Sequence, residues 1–217
     1  MRAKGVSKDA LHLARRDSSE CVMTAKVQTP WEIRSERTED APLVEALNET
    51  SFGPGRFAKS AYRLREGVDP VAGLSFVAVE GRALRGSIRF WPIAVGRERS
   101  LLLGPLAVEA DQRGRGIGIA LMKRGIEEAR AQGHASIVLV GDEPYYVRVG
   151  FAALPPGRIR FPGPVDQMRV LGQSLQHNVL LTLAGEVRRA RLDHPVCADG
   201  AGVISSMQKG ERQNMPI

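Results

Sequence analysis

Strand-like and helical segments alternate along this 217-residue chain in an order that predicts an α/β layer built on a mixed sheet. Three observations carry that expectation. Ala135 to Val140 is a continuous apolar run of the kind found in buried central strands. Leu74 to Val79 and Ala83 to Trp91 flank Glu80-Gly81-Arg82 as the two arms of an antiparallel hairpin would. Gly116 to Ala131 is a long amphipathic segment that follows a strand-like run through a glycine-rich loop. The length suits one domain with a sizeable core.

Taken in order, residues 1–28 mix charges with small polar residues and read as a flexible extension. The folded domain is expected over residues 29–190. Trp31 to Arg34 alternates as a short strand, and Thr38 is placed to cap a helix whose apolar stripe is Leu43, Val44 and Leu47. After the loop Ser51 to Gly55, the residues Phe57, Ala61, Tyr62 and Leu64 recur at helical spacing, predicting a second helix over Phe57 to Arg65. The hairpin follows, then a strand from Leu101 to Val108 in which Gly104-Pro105 forces a kink or bulge. The long helix buries Ile119, Met122, Ile126 and Ala129 and stops at Gln132-Gly133. Beyond the central strand, Pro144 stands at the first position of a short helix, where its missing N–H costs nothing. Prolines and glycines from Pro155 to Pro164 mark loops, a last strand is expected around Asn178 to Val187, and residues 191–217 read as a second flexible tail.

Composition excludes several classes. Apolar residues at 43% and charged residues at 25% are ordinary for a globular protein. No apolar run approaches the length a membrane helix needs, and the start of the chain lacks the order of a secretory signal, so a cytoplasmic protein without membrane contact is expected. Only Cys21 and Cys197 occur, both in segments placed outside the core, so a disulfide framework has no support, no metal cluster can be built from them, and no metal is expected. The net charge of +7 sits largely at the ends. Residues 31–187 hold twenty bases against eighteen acids, which argues against a nucleic-acid partner.

The chemistry concentrates after Val108. A strand, a glycine loop and a helix N-terminus together bind phosphate, because the first helical N–H groups lack intrahelical partners and the helix dipole favours an anion. Gly114, Gly116 and Gly118 let phosphate approach the backbone, while Arg113 and Arg115 add charge. Neither common nucleotide fingerprint fits. Counted from Gly114, the third glycine of a Rossmann loop would fall on Ile119, and a P-loop's Gly-Lys-Ser/Thr is absent.

What does fit is the acetyl-CoA loop of the GNAT superfamily of N-acetyltransferases, which the chain resembles at Arg113, Gly116 and Gly118. Leu103 to Val108 resembles that family's fourth strand, and Gly141 to Phe151 resembles its Tyr, three residues, Gly-Phe signature. The resemblance implies a GNAT-like domain: a mostly antiparallel mixed sheet of six to seven strands, helices on both faces, and a splayed strand pair at the cofactor site. It further implies acetyl transfer from acetyl-CoA to a primary amine of a small molecule or peptide, by direct attack in a ternary complex through a tetrahedral intermediate. An RNA-linked amine such as an aminoacyl-tRNA, or a non-catalytic acyl-CoA-binding module, are the alternatives.

By the same resemblance, Tyr146 protonates the leaving thiolate and a backbone N–H of Ala107 or Val108 polarises the carbonyl. The cofactor would contact Leu106, Ala107, Val108, Arg113, Gly114, Arg115, Gly116, Ile117, Gly118, Ile119, Tyr145 and Tyr146. Glu109 is the candidate for deprotonating the amine. Phe52, Phe57 and Asp142 are the candidates for binding it. Family members often pair through C-terminal strands, so a homodimer is a further implication.

Overall fold

The computed structural model describes residues 30–58 and 60–190. The predicted extension and tail, with Cys21 and Cys197, lie outside those residues. Nine strands and five helices order the body: β1 (Glu32–Ser35), α1 (Ala41–Phe52), α2 (Ser60–Arg63), β2 (Ser75–Glu80), β3 (Ala83–Val95), β4 (Glu98–Val108), α3 (Ile117–Ala131), β5 (Ser136–Val140), α4 (Glu143–Tyr146), β6 (Ala152–Ala153), β7 (Ile159–Arg160), β8 (Val170–Ser174), α5 (Val179–Thr182) and β9 (Gly185–Arg189).

Seven strands follow one path, β1-β2-β3-β4-β5-β8-β6, and every neighbouring pair on it is antiparallel except β4 and β5. Strand β9 continues the sheet along the far end of β3, from Ile93 to Val95, beyond the reach of β2, and β7 pairs with β9. Alternation in β2 sorts the core by face. Phe76 and Ala78 pack with Leu121, Met122 and Ile126 of α3, while Val77 and Val79 pack with Val44 and Leu47 of α1. Helices therefore cover both faces, and Leu64, Trp91, Ile93, Leu102, Val138 and Val187 form a third cluster.

One irregularity opens the site. Across β3 and β4 the register passes from Ile88↔Leu106 to Phe90↔Leu103, so Gly104-Pro105 bulges out opposite Arg89, and the Trp91 indole N–H donates to the Gly104 carbonyl at 2.6 Å. The parallel pairing of β4 with β5 is confined to Leu101↔Ile137 and Leu102↔Val138. From Leu103 to Val108, β4 runs on without β5 beside it, which is the splayed pair.

Several features depart from the sequence-based expectation, beginning with the strand count: nine rather than six to seven, the two-residue β6 and β7 being unforeseen. The helix foreseen over Phe57 to Arg65 is instead a 3-10 stretch, Pro54–Ala58, followed by the single turn of α2. Arg56 and Ser60 turn inward there, held by the carbonyls of Gly53 and Pro164, and Phe57 is left exposed. Thr38 does not cap α1. A 3-10 turn, Thr38–Asp40, precedes it, and the buried Asp40 accepts the Arg37 amide at 2.8 Å and a bidentate bond from Arg34. Asn178 to Val187 divides into α5 and β9, because a short apolar run fits a helical turn as well as a strand. The unforeseen β8 has the buried polar residue Gln173 in its middle, whose amide nitrogen donates to the Val149 carbonyl at 3.0 Å.

Candidate active site

The opening beside β4 leads into a cleft of about 340 Å³. Leu106, Ala107 and Val108 form one wall, Tyr145, Tyr146 and Arg148 another, and Gly114 with Gly116 to Ile119 the floor at the start of α3. Ser51, Phe52, Gln112 and Arg113 complete it.

The three loop glycines serve different ends. Gly114 and Gly116 both stand at φ +82° with open space where a Cβ would be, so backbone conformation is what demands glycine there. Gly118 is helical, and a Cβ on it would collide with the Tyr145 hydroxyl. Gly116 caps α3 without a side chain, and the first amide to bond back is Ala120 N, to Gly116 O at 3.0 Å. The earlier amides of the helix remain available to an anion, beside the side chain of Arg113.

On the β4 wall the direction of each amide can be read from its neighbours. Glu109 N donates to Arg85 O on the β3 side at 3.0 Å. Strand alternation then aims the Ala107 amide the same way and turns the Val108 amide outward, into the opening. Of the two backbone donors considered from the sequence, Val108 is the one that faces the cleft.

Tyr146 sits edge-on to Phe151, with ring centroids 6.0 Å apart, and to Tyr145 at 5.3 Å. It lies so close to Gly141 that a Cβ there would collide with its ring. Burial pushes its phenol up to about 12, so it holds its proton throughout the neutral range. Arg148, not singled out from the sequence, lies over the Tyr145 ring at 5.9 Å and adds a second positive charge to the rim.

Four predicted residues stand apart from the cleft. Glu109 pairs with Arg85 at 2.7 Å and lines an adjoining depression with Leu43, Arg82 and Asp111, which shares Ser51 and Arg113 with the cleft. Arg115 is turned to Glu80 at 2.9 Å and to the Gln112 side-chain oxygen. Asp142 pairs with Arg169 at 3.1 Å with its side chain 79% exposed. Phe57 is 59% exposed and meets the edge of Tyr62. For the three charged residues the ion-pair partner comes from a distant segment. Among the described residues, no carboxylate lines the cleft.

Comparison with known proteins gives the family and the fold. The sequence profile described as the Acetyltransferase (GNAT) family matches residues 41–151. The uncharacterized N-acetyltransferase YhbS of Escherichia coli K12 is 35% identical over 142 residues, 64% of this chain and 84% of that protein. The crystal structure of E. coli YhbS in complex with CoA superposes with a TM-score of 0.63 at 30% identity, covering 74% of this chain and 89% of that one. A GNAT family acetyltransferase from Brucella melitensis in complex with acetyl-CoA gives 0.50 at 32% identity, covering 64% and 94%.

Proposed function

The chain belongs to the GNAT acetyltransferase family, and from that premise we propose that it moves an acetyl group from acetyl-CoA to a primary amine of a small molecule or peptide, with both substrates bound at once in the cleft. The observation that carries this reading is the meeting of the α3 N-terminus and Tyr146 on the walls of one opening.

When bound, acetyl-CoA supplies a thioester carbonyl: the amine forms a C–N bond, the C–S bond breaks, the amine loses a proton and the sulfur gains one. The amides at the start of α3, with Arg113 and Arg148 nearby, hold the pyrophosphate. The Val108 N–H donates to the carbonyl oxygen as negative charge grows there. Tyr146 Oη carries the proton for the departing sulfur, and its raised pKa keeps that proton in place at neutral pH. Among the described residues no carboxylate lines the cleft, so in this reading the acceptor enters as the neutral amine and gives up its proton to water.

Calorimetric titration with acetyl-CoA, followed by thiol release across polyamines, amino acids, aminoglycosides and peptides, tests the reading. Binding and at least one productive amine are expected. Binding with no thiol from any amine would leave a non-catalytic acyl-CoA module, and absence of binding would refute the site itself.

A further inference from the structure

Seven side-chain polar atoms among the described residues are sealed from solvent without a hydrogen bond of ordinary geometry, and five lie from within α1 to just past α2: Asn48 Oδ1, Arg56 Nε, Tyr62 Oη, and Nε and Nη1 of Arg65. A buried cation without a counter-ion is costly, so such a concentration calls for a reason. The Arg65 guanidinium lies over the Tyr62 ring at 4.7 Å and near Trp91 at 5.9 Å. Burial lowers its pKa to about 10, which leaves it charged at neutral pH; the Tyr62 hydroxyl beside it partly offsets the burial, and no carboxylate contributes to its surroundings. The like charge that acts on it, Arg89, is already held by Glu36 and Glu45.

Its remaining nitrogen, Nη2, comes within 3.1 Å of where a Cβ on Gly104 would stand, and the Leu106 amide lies 3.8 Å from that same point. Gly104 is at the base of the splay, just past the last pair of β4 with β5. Leu106 is the first β4 residue of the cleft wall. The uncompensated cation thus stands about two strand residues, or roughly 7 Å, along β4 from the wall where the thioester would react. The phosphate-binding end at Gly114 to Ile119 belongs to a different wall.

We propose that Arg65 receives an oxyanion carried by the acceptor, which makes the substrate class an amine bearing a carboxylate or a phosphate. The anionic end sits at Arg65 and the amine points toward Leu106 to Val108. A planar guanidinium suits either oxyanion, and the Tyr62 hydroxyl beside it is placed to share the contact. This proposal rests on the reading of the cleft as the transferase site.

The test uses product analogues and so needs no turnover. N-acetylglycine, N-acetyl-β-alanine and N-acetyl-γ-aminobutyrate are each titrated against their carboxamides into the CoA-loaded protein, and N-acetyl-phosphoethanolamine against N-acetylethanolamine. At least one anionic ligand should bind about 10-fold or more tightly than its neutral counterpart, and the winning arm separates carboxylate from phosphate. Arg65→Met should erase that preference while CoA affinity stays within about 3-fold, and Arg65→Lys should keep part of it. Equal binding of charged and neutral ligands in every wild-type arm overturns the proposal, as does a preference that survives Arg65→Met. Should Arg65→Met not fold, the wild-type comparison and Arg65→Lys decide. Failure of CoA itself to bind would instead overturn the reading of the cleft.

Discussion

Tyr146 and Gly118 separate two kinds of necessity at the scale of single residues. Tyr146 is argued to matter for a proton, so Tyr146→Phe should lower kcat by roughly 10- to 1000-fold while CoA affinity stays nearly unchanged, as steady-state rates and calorimetry would show. Unchanged turnover would move the acid elsewhere. Gly118 matters for space. Gly118→Ala should displace the Tyr145 phenol and weaken CoA binding by about 10-fold, and adding Tyr145→Phe should recover most of it, because the ring carbon beneath the hydroxyl lies 3.4 Å from the new methyl. No recovery in the double variant would mean that Tyr145 is not the obstacle. The loop was legible from its glycines because their spacing is local. Glu109 and Arg115 were not, since their partners Arg85 and Glu80 stand 24 and 35 residues away.

Among the elements, α3 shows packing overriding propensity. Alanine is the better helix former, yet a Cβ at Gly125 would run into the fully buried Phe90 ring of β3. Gly125→Ala is therefore expected to destabilise the fold by about 1–3 kcal/mol net, read as a lower denaturation midpoint. A neutral or stabilising result would show that β3 yields. The long elements were recognisable from periodicity because α3 and β2 to β5 repeat their apolar positions often enough to be read. One-turn α2 and α5 and the polar-centred β8 were not, because a few residues satisfy helix and strand alike and because burial of Gln173 depends on a carbonyl supplied by another segment.

For the molecule as a whole, pH sets two limits on stability. The Asp40 carboxyl is held at about 2, below its ordinary 3.8, first by the bond from Arg34. A depressed carboxyl stabilises above its unfolded pKa, so this contribution, about 2 kcal/mol, is present above about pH 4 and lost as pH falls toward 2. Asp40→Asn should therefore be less stable at neutral pH and show a shallower acid limb in its melting-temperature profile; parallel limbs would contradict the pairing. The raised phenol of Tyr146 acts at the other end, favouring the fold below pH 10 and losing that contribution between about 10 and 12. Turnover should accordingly rise with deprotonation of the acceptor amine and show no decline from Tyr146 below about pH 10. An earlier fall would assign the proton to another group.

By itself the sequence determined the α/β order, the glycine loop, the tyrosine after the fifth strand and the family, because each is written in residues close together along the chain. The tertiary structure alone decided which of the nominated side chains share the cleft. It turned Glu109, Arg115, Asp142 and Phe57 away, brought in Arg148, aimed the Val108 amide into the splay and set Arg65, without a carboxylate partner, at its base. The turning away of Glu109, Arg115 and Asp142 and the aim of Val108 depend on ion pairs and strand register between distant segments, and no local spacing encodes either.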